Sequence, residues 1–486
     1  MFDPFSLLPL ALTARGGRVD DFEVQQLVAA GLTLLQRSAP LVRALSGKRA
    51  AILLPTSPAF FTALAAAEGR GAVLINTSAA TPEIFRQITD ANVGAVFTTT
   101  AFAPVLPAGT PLVLLDEAPR VARVVVDGVT REVDLGSHRG MTIEGDSDSP
   151  GRDDEAAIVY TSAMAGIPLG AILSHRNLLA NARATIEAAG NSSDDRVLAV
   201  LPYSHLFGLT VTGAAPLLAG ARLVTMPRFN PARAAELLAN GEITQIASVP
   251  AVFRALLAAF ARRGETSRVA GELRVAVCGG SPLSATLQDQ WFEATGVELR
   301  QGYGLTEAGP VCAFNRVDRP NARGTLGVPY PGMEIDLRTP IGYDNEGRPN
   351  RSVPEAHLDD AGEICVRGDA VFQGYVSGGE NGLPVHDGWL HTGDLGRWDS
   401  SGRIEFTGLV KPMFTRNGFN IYPREIERVA SEMPGVESAV VRESPVRDRE
   451  PDIALDVRGD VDVDALKRWC AERLAVYKQP TLITVG

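Results

Sequence analysis

Six short segments carry residue types that could handle phosphates, carboxylates or thiols, and they are spread over most of the chain. Each combines glycines with hydroxyl, carboxylate, histidine or lysine side chains. The segments are YTSAMAGIPLG (160–170), LPYSHLFG (201–208), CGGSPL (278–283), QGYGLTE (301–307), WLHTGDL (389–395) and GLVKPMFTRNGFNIYPREIE (408–427). A glycine- and hydroxyl-rich turn after a strand, as in the first segment, can surround a phosphate with backbone N–H groups. The same turn can equally be a plain strand-to-helix connection, so no single segment decides the function.

Alternating β-rich and amphipathic runs predict the scaffold that must position these segments. Runs of strand length at 50–54 and 72–76 flank a helical run at 58–70, a rhythm that indicates parallel strands covered by helices. The rhythm recurs in the next part of the chain. It predicts strands at 197–201, 222–226, 245–249 and 273–278, and helices at 231–239 and 252–262.

The later part of the chain has a different character. The Gly-, Ser- and Asp-rich stretch 136–154 predicts a loop or linker. After about residue 325, short strands and turns predict a β-barrel-like subdomain. From Tyr422 a small unit begins, with helices at 423–433 and 463–474 and strands near Val440 and at 452–457. The predicted fold class is therefore α/β, with a large N-terminal domain of parallel-sheet subdomains plus the β-barrel-like one, and a small C-terminal α+β domain.

Composition excludes several classes of protein. The chain has 46 Lys plus Arg and 57 Asp plus Glu, giving a net charge of −11. No basic face is visible, so nucleic-acid binding is not expected. No run of about 18 apolar residues exists, so no transmembrane helix is expected. The four cysteines form no C-x-x-C pair, which argues against zinc and a disulfide framework and favours the cytoplasm.

Taken together, the six segments resemble the adenylate-forming (AMP-binding) superfamily of acyl-CoA synthetases, luciferases and peptide-synthetase adenylation domains. The resemblance covers nearly the whole chain, and LPYSHLFGLT, QGYGLTEAGPV and DGWLHTGDLG are most similar to the fatty-acid-CoA-ligase branch. It implies that a carboxylate attacks the α-phosphate of ATP to form acyl-AMP. A small mobile domain then rotates, and the thiol of CoA or a carrier protein takes the acyl group. The implied domains are 1–408 and 409–486, with a hinge at Lys411.

The same resemblance implies roles for individual residues. His205 would lie where the acyl channel meets the nucleotide site, although an isolated histidine is more often a core residue. Thr306 and Glu307 would meet the α-phosphate and Mg²⁺, a cation that favours carboxylate ligands. Asp394 would hold both ribose hydroxyls through its two oxygens. Further cofactor-binding positions are Thr161, Ser162, Gly166 and Gly170 in the phosphate turn, Gly280, Ser281 and Pro282 at one adenine wall, Tyr303 and Gly304 at the other, and Gly418 beside pantetheine.

Several positions depart from the family pattern, and all of them would serve ATP. Leu169 stands where the family has a lysine, and Ala163, Met164 and Ala165 replace a glycine and two hydroxyl residues. Leu409 stands where an arginine also holds the ribose. The family's final catalytic lysine would follow roughly a dozen residues after AVYKQPTLITV, and the sequence ends at Gly486. Because apolar side chains cannot compensate phosphate charge, a degenerate ATP site with weak ATP binding is expected.

Three functional hypotheses follow from this pattern. The leading one is an ATP-independent enzyme that transfers, cyclises or releases an acyl group already carried as a thioester on a carrier protein or CoA. The second is an ordinary ATP-dependent ligase for a fatty or other carboxylic acid, acting through acyl-AMP with CoA or a carrier protein. The third is a non-catalytic protein that binds an acyl group, a nucleotide or a partner protein. The first two hypotheses imply a small-molecule acyl substrate and a pantetheine thiol.

Overall fold

The structure is a computed structural model in which side chains and backbone are described for most of the chain. Described residues are 7–67, 70–136, 151–161, 168–263, 271–340, 342–343, 349–350, 361–376, 384–410, 414–416, 419–446 and 451–486.

Two nine-stranded sheets form the frame of the large N-terminal part. In spatial order the first sheet contains Val328–Pro329, Val311–Phe314, Leu299–Gly304, Val275–Cys278, Gln245–Ser248, Arg196–Ala199, Arg222–Thr225, Arg18–Val19 and Phe22–Glu23. The second contains Gly374–Tyr375, Leu169–Ser174, Glu155–Thr161, Ala72–Leu74, Arg49–Leu53, Val93–Thr98, Leu112–Leu115, Val121–Val126 and Val129–Asp134. Their central strands are buried on both faces, as parallel sheets covered by helices are.

Helices cover these sheets and close the small C-terminal unit. The α-helices are Leu8–Ala11, Val24–Arg37, Ala39–Ala44, Pro58–Ala66, Thr81–Asp90, His175–Ala189, Ala215–Ala219, Pro231–Ala239, Pro250–Arg262, Ala285–Thr295, Pro423–Ser431 and Val463–Arg473. Short 3₁₀ turns are Ala103–Val105, Thr306–Ala308 and Val476–Lys478, and a π-helix spans Phe207–Ala214. Local chemistry fixes many ends. Pro231–Ala239, for instance, begins with proline after Asn230, whose side chain accepts from the N–H groups of Ala232 and Arg233.

A third, antiparallel sheet follows in the chain. Its strands are Met333–Arg338, Gly362–Gly368, Trp389–Trp398, Val385–His386 and Ile404–Leu409. Two short hairpins accompany it, Gly342–Tyr343 with Pro349–Asn350 and Phe414–Arg416 with Phe419–Ile421. The C-terminal unit has its own sheet of Val436–Ser444, Asp452–Gly459 and Leu482–Val485. It also has a separate apolar core, centred on Ile426, Leu455 and Leu466.

The predicted fold class is confirmed, and most element boundaries lie within a few residues of the predicted ones. The helix predicted at 58–70 ends earlier, at Ala66, and the helix predicted at 252–262 begins earlier, at Pro250. Most of the predicted loop, 137–150, lies outside the described residues. The domain boundary after residue 408 stays a prediction. The hinge position Lys411 also lies outside the described residues.

Candidate active site

The parallel strands of the first sheet bring three of the six segments to one edge. Arg196–Ala199, Val275–Cys278 and Leu299–Gly304 run in the same direction, with Gln245–Ser248 between the first two. Their carboxyl ends therefore share an edge, where open α/β sheets bind ligands. LPYSHLFG and CGGSPL begin at this edge, and QGYGLTE ends there.

A cavity of about 850 Å³ opens at this edge, between the large sheets, the third sheet and the C-terminal unit. Ten of the predicted site residues line it: Thr161, His205, Gly280, Ser281, Pro282, Tyr303, Gly304, Thr306, Glu307 and Asp394. Gly170 is not among the described lining residues; it lies in a strand, where a Cβ would come within 3.0 Å of the Tyr160 ring. Ser162, Gly166 and Gly418 lie outside the described residues.

His205 sits on a firmly held turn. Tyr203, two residues earlier, is fully buried and packs edge-on against Phe60 and Phe61 at centroid distances of 5.3 and 5.2 Å. The Phe207 N–H donates to His205 Nδ1 over 3.2 Å, which leaves the proton of the neutral ring on Nε2. Shielding from water lowers the pKa of His205 to about 4. At neutral pH, His205 is therefore an uncharged hydrogen-bond donor.

Glu307 is a buried carboxylate at the end of the same edge. Its Oε1 accepts a hydrogen bond of 2.8 Å from the Tyr375 hydroxyl. Burial raises the pKa of Glu307, and the Tyr375 hydrogen bond partly opposes that shift. Thr306 precedes it in the short 3₁₀ turn. A carboxylate has two oxygens, so Glu307 can use the other one as a metal ligand.

Asp394 faces the site from the third sheet. Its Oδ2 accepts a hydrogen bond of 2.6 Å from the Tyr303 hydroxyl, which ties the first sheet to the third. Burial raises the pKa of Asp394 to about 6, and the nearby carboxylates Glu363 and Glu307 add to that rise. The two residues expected to hold the adenosine are thus paired with each other.

A buried network orients the Asp394 turn. Glu363 is fully buried; its Oε1 accepts from the Gly393 N–H and its Oε2 lies 2.8 Å from His391 Nδ1. The Thr392 hydroxyl donates to the Ile364 carbonyl over 2.8 Å. These contacts fix both residues before Asp394, so the position of its carboxylate is set by the third sheet itself.

The predicted adenine walls have features that suit a flat polar ligand. Gly280 has a φ of 76°, a conformation that favours glycine. A Cβ on Gly304 would lie 1.9 Å from the Pro310 carbonyl oxygen, so only glycine fits there. Ser281 Oγ is buried without a hydrogen-bond partner among the described residues. Because buried polar atoms normally find partners, this hydroxyl is suited to a ligand.

Charge is distributed unevenly around the cavity. Glu83, Glu307, Asp394 and Glu443 line it, whereas Lys478 is the one Lys or Arg among the described lining residues. Leu169 and Leu409, at the positions where the resemblance leads one to expect cations, both line the cavity. Thr161, opposite Leu169 in the strand pair, donates weakly to the Leu169 carbonyl at 3.4 Å. In the described region, no cation pairs with Glu307 or Asp394, the carboxylates expected to face the nucleotide.

Sequence reasoning misses three residues of the site. Tyr375 and Glu363 support Glu307 and Asp394 from other strands, and no local pattern links them. Lys478 belongs, by the resemblance, to the segment before the family's final lysine, which implies no role for it. It in fact lines the cavity and bridges two carboxylates, Glu83 and Glu425. A lysine in that segment carries no signal of a partner almost four hundred residues away, so only the structure reveals this bridge.

Comparisons with known proteins agree with this geometry. The AMP-binding enzyme family matches residues 41–376. The chain is 31% identical over 446 residues to a feruloyl-CoA synthase of Amycolatopsis sp, covering 89% of this chain and 84% of that protein. It is 32% identical over 341 residues to a long-chain-fatty-acid–CoA ligase of Escherichia coli O157:H7, covering 68% of this chain and 58% of the ligase.

Solved structures share the fold. A malonyl-CoA ligase with methylmalonyl-CoA and AMP bound superposes with a TM-score of 0.77 at 24% identity, covering 100% of this chain and 99% of that one. An o-succinylbenzoate-CoA synthetase from Bacillus subtilis gives 0.76 at 24% identity, covering 98% and 93%. The chain belongs to the AMP-binding, adenylate-forming family of acyl-CoA synthetase-like enzymes. Among the described helices, none has the length and apolar character needed to cross a membrane.

Proposed function

We propose that this chain is an ATP-dependent ligase that joins a carboxylic acid with an uncharged, apolar chain to a pantetheine thiol through acyl-AMP. The observation that carries the proposal is the convergence of Glu307, Asp394 and Tyr303 with His205 in one cavity at the strand-end edge. The first three are groups suited to a metal ion and a nucleoside, and His205 is suited to an acyl carboxylate. An enzyme that started from a ready-made thioester would have no use for the first three.

This proposal is the second of the hypotheses drawn from the sequence. The family match and the named activities of the relatives support it better than the ATP-independent hypothesis. Leu169 and Leu409 stand where cations would otherwise be expected, and we attribute to them a weaker hold on the phosphates and the ribose. A retained Glu307 can still bring Mg²⁺ to that end of the cavity, where the cation would neutralise phosphate charge.

The acid is inferred from the apolar end of the cavity. Phe207, Val211, Val277 and Phe314 line it, and the ring of Tyr330 stands edge-on to Phe314 at 6.2 Å. Gly279 packs closely against the Phe207 ring, since a Cβ there would be only 3.3 Å from the ring. A charged tail would lose its water there without a counter-charge, and an alkyl or aryl chain would not.

In this proposal the described side chains have separate roles. His205 Nε2–H can donate to the incoming carboxylate, Asp394 can accept from ribose hydroxyls, and Ser281 can bond a polar edge of the adenine. The thiol acceptor, CoA or a carrier protein, would enter from the side of the C-terminal unit. Phe414 and Tyr422 of that unit line the cavity.

The test is acid-dependent exchange of labelled pyrophosphate into ATP, with hexanoate, palmitate, ferulate and malonate as the acids. Exchange is expected with one or more of the first three and absent with malonate. Asp394→Ala is the matched inactive control. Exchange with none of the acids, together with consumption of acyl-CoA in the absence of ATP, would establish the ATP-independent hypothesis instead.

A further inference from the structure

A buried lysine joins the C-terminal unit to the large domain. Lys478 Nζ lies 2.8 Å from a Glu83 oxygen and 2.8 Å from a Glu425 oxygen. The exposed fractions of Lys478, Glu83 and Glu425 are 4%, 8% and 3%. Glu83 belongs to helix Thr81–Asp90 of the large domain, whereas the other two residues belong to the C-terminal unit.

The two carboxylates differ in what happens when the C-terminal unit moves as a body. Glu425 travels with Lys478, so the ammonium group keeps one counter-charge in every position of the unit. Glu83 stays behind on the large domain, where it lines the cavity. A buried charge left without a partner is strongly destabilising, and Glu425 prevents that outcome for Lys478. The Lys478–Glu83 pair can therefore form and break without stranding the lysine.

The observed position brings the thiol-facing hairpin to the cavity. The hairpin is formed by Phe414–Arg416 and Phe419–Ile421. Its first residue, Phe414, and the residue that follows it, Tyr422, line the cavity together with Tyr477. Helix Val463–Arg473 contacts helix Thr81–Asp90 beside the lysine. By the resemblance, this hairpin serves the second half-reaction, in which the thiol takes the acyl group.

We propose that Glu83 is a positioning residue that docks the C-terminal unit, through Lys478, in the arrangement used for thiol transfer. The proposal rests on the proposed ligase function. Glu83 does not touch the reacting atoms; it holds the hairpin in place while the thiol attacks. Acyl-AMP formation does not depend on this contact.

Glu83→Gln isolates the charge from a second duty of this residue. Glu83 Oε2 also accepts from the Ala80 N–H and so caps its own helix. Glutamine keeps an oxygen for that cap but loses the charge that binds Lys478. Transfer of the acyl group from preformed acyl-AMP to CoA should fall about tenfold or more, because a hydrogen bond between charged groups is lost. Pyrophosphate exchange should stay within about twofold of the wild type, and Glu83→Asp should recover part of the transfer rate.

Glu236→Gln is the matched control, because Glu236 pairs with Arg233 on an exposed helix face. It should change neither half-reaction, as exposed ion pairs contribute little. Equal losses in both half-reactions of Glu83→Gln, or a wild-type transfer rate, would overturn the docking role.

Hydrogen–deuterium exchange provides a readout that needs no activity. Glu83→Gln should exchange faster than wild type in helices 81–90 and 463–473, with protection of the first sheet unchanged. Unchanged protection in both helices would overturn the docking proposal even if the enzyme is a ligase. A wild-type protein that forms no acyl-AMP would instead refute the ligase function, and the exchange data would still decide whether Glu83 docks the unit.

Discussion

Two ends of the cavity differ in how their polar groups find partners: the end with Glu307 and Asp394, where the nucleotide is proposed to bind (the nucleotide end), and the apolar end beside His205 and Phe207. At the nucleotide end, Glu307 is buried and Asp394 is partly buried, and the partners of their carboxylates are the neutral hydroxyls of Tyr375 and Tyr303. At the apolar end, His205 is neutral; its Nδ1 accepts from the Phe207 N–H, and its Nε2–H is left to donate to a ligand. Burial raises the pKa of both carboxyl groups, and the hydroxyl hydrogen bonds only partly oppose that rise. The nucleotide end therefore depends on its ligands for charge balance, and the apolar end does not.

Glu307→Gln would test the nucleotide end of the cavity, and it has the largest expected effect. It keeps the shape and the Tyr375 contact but removes the charge proposed to hold Mg²⁺. Loss of a charged contact that acts in a transition state costs about two to three decades in rate, and pyrophosphate exchange should fall by that amount. The temperature of thermal unfolding should change little or rise slightly, since a buried carboxylate is removed. A variant with wild-type exchange would show that Glu307 has no part in adenylation.

His205→Ala would test the apolar end of the cavity. This variant should have a kcat/KM for the acid that is roughly tenfold to a hundredfold lower, because a hydrogen-bond donor to the carboxylate is lost. KM for ATP should be unchanged if the two ends are independent. His205→Gln retains a hydrogen-bond donor, so its kcat/KM should lie between those of the wild type and His205→Ala. Equal activity of all three proteins would identify His205 as a core residue.

Leu409→Arg would supply the nucleotide end with a cation of its own. Leu409 and Asp394 are direct partners in neighbouring antiparallel strands, and such partners share a face of the sheet. The guanidinium group should lie near the Asp394 carboxylate, lower its pKa and reduce KM for ATP about tenfold. Leu409→Met is the size-matched neutral control. An unchanged KM for the Arg variant would mean that phosphate and ribose contacts do not limit ATP binding.

The pH dependence of ATP binding gives the smallest expected effect. The pKa of Asp394 is raised to about 6, so the carboxylate is mostly ionised at pH 7 and mostly protonated at about pH 5.5. The ionised form is the one that accepts from two ribose hydroxyls. Affinity for ATP, measured by calorimetry, should therefore fall about fourfold as pH drops from about 7 to about 5.5. Asp394→Asn should bind weakly with no such slope, and a slope retained in that variant would assign it to another group.

Local patterns predict much of the fold. The sequence predicts helix Pro231–Ala239 with its observed ends, because the cap at Asn230 and the proline after it are local signals. It predicts the strand at Val275–Cys278 within two residues at its start, because a short apolar run followed by glycines indicates a buried strand.

Contacts between distant segments cannot be predicted in this way. Glu83 and Lys478 are 395 residues apart, and neither lies in a pattern that names the other. Tyr375 reaches Glu307 because its strand pairs with Leu169–Ser174, a register that no local signal fixes. The resemblance places Asp394 and Tyr303 at the same ligand but gives no reason to expect the hydrogen bond between them.

The π-helix of Phe207–Ala214 lines the apolar end of the cavity, and it limits which sequence changes this segment can accept. All eight of its residues are buried, and each of its turns holds about one residue more than a regular helical turn. Deleting one residue would favour an α-helix and rotate the preceding turn by about 100°, carrying Phe207 away from the Gly279 backbone and His205 out of place. Inserting one residue would rotate the preceding turn in the opposite direction and would also displace Phe207 and His205. Lineages that change their acid should therefore vary the side chains of this segment while its length stays constant.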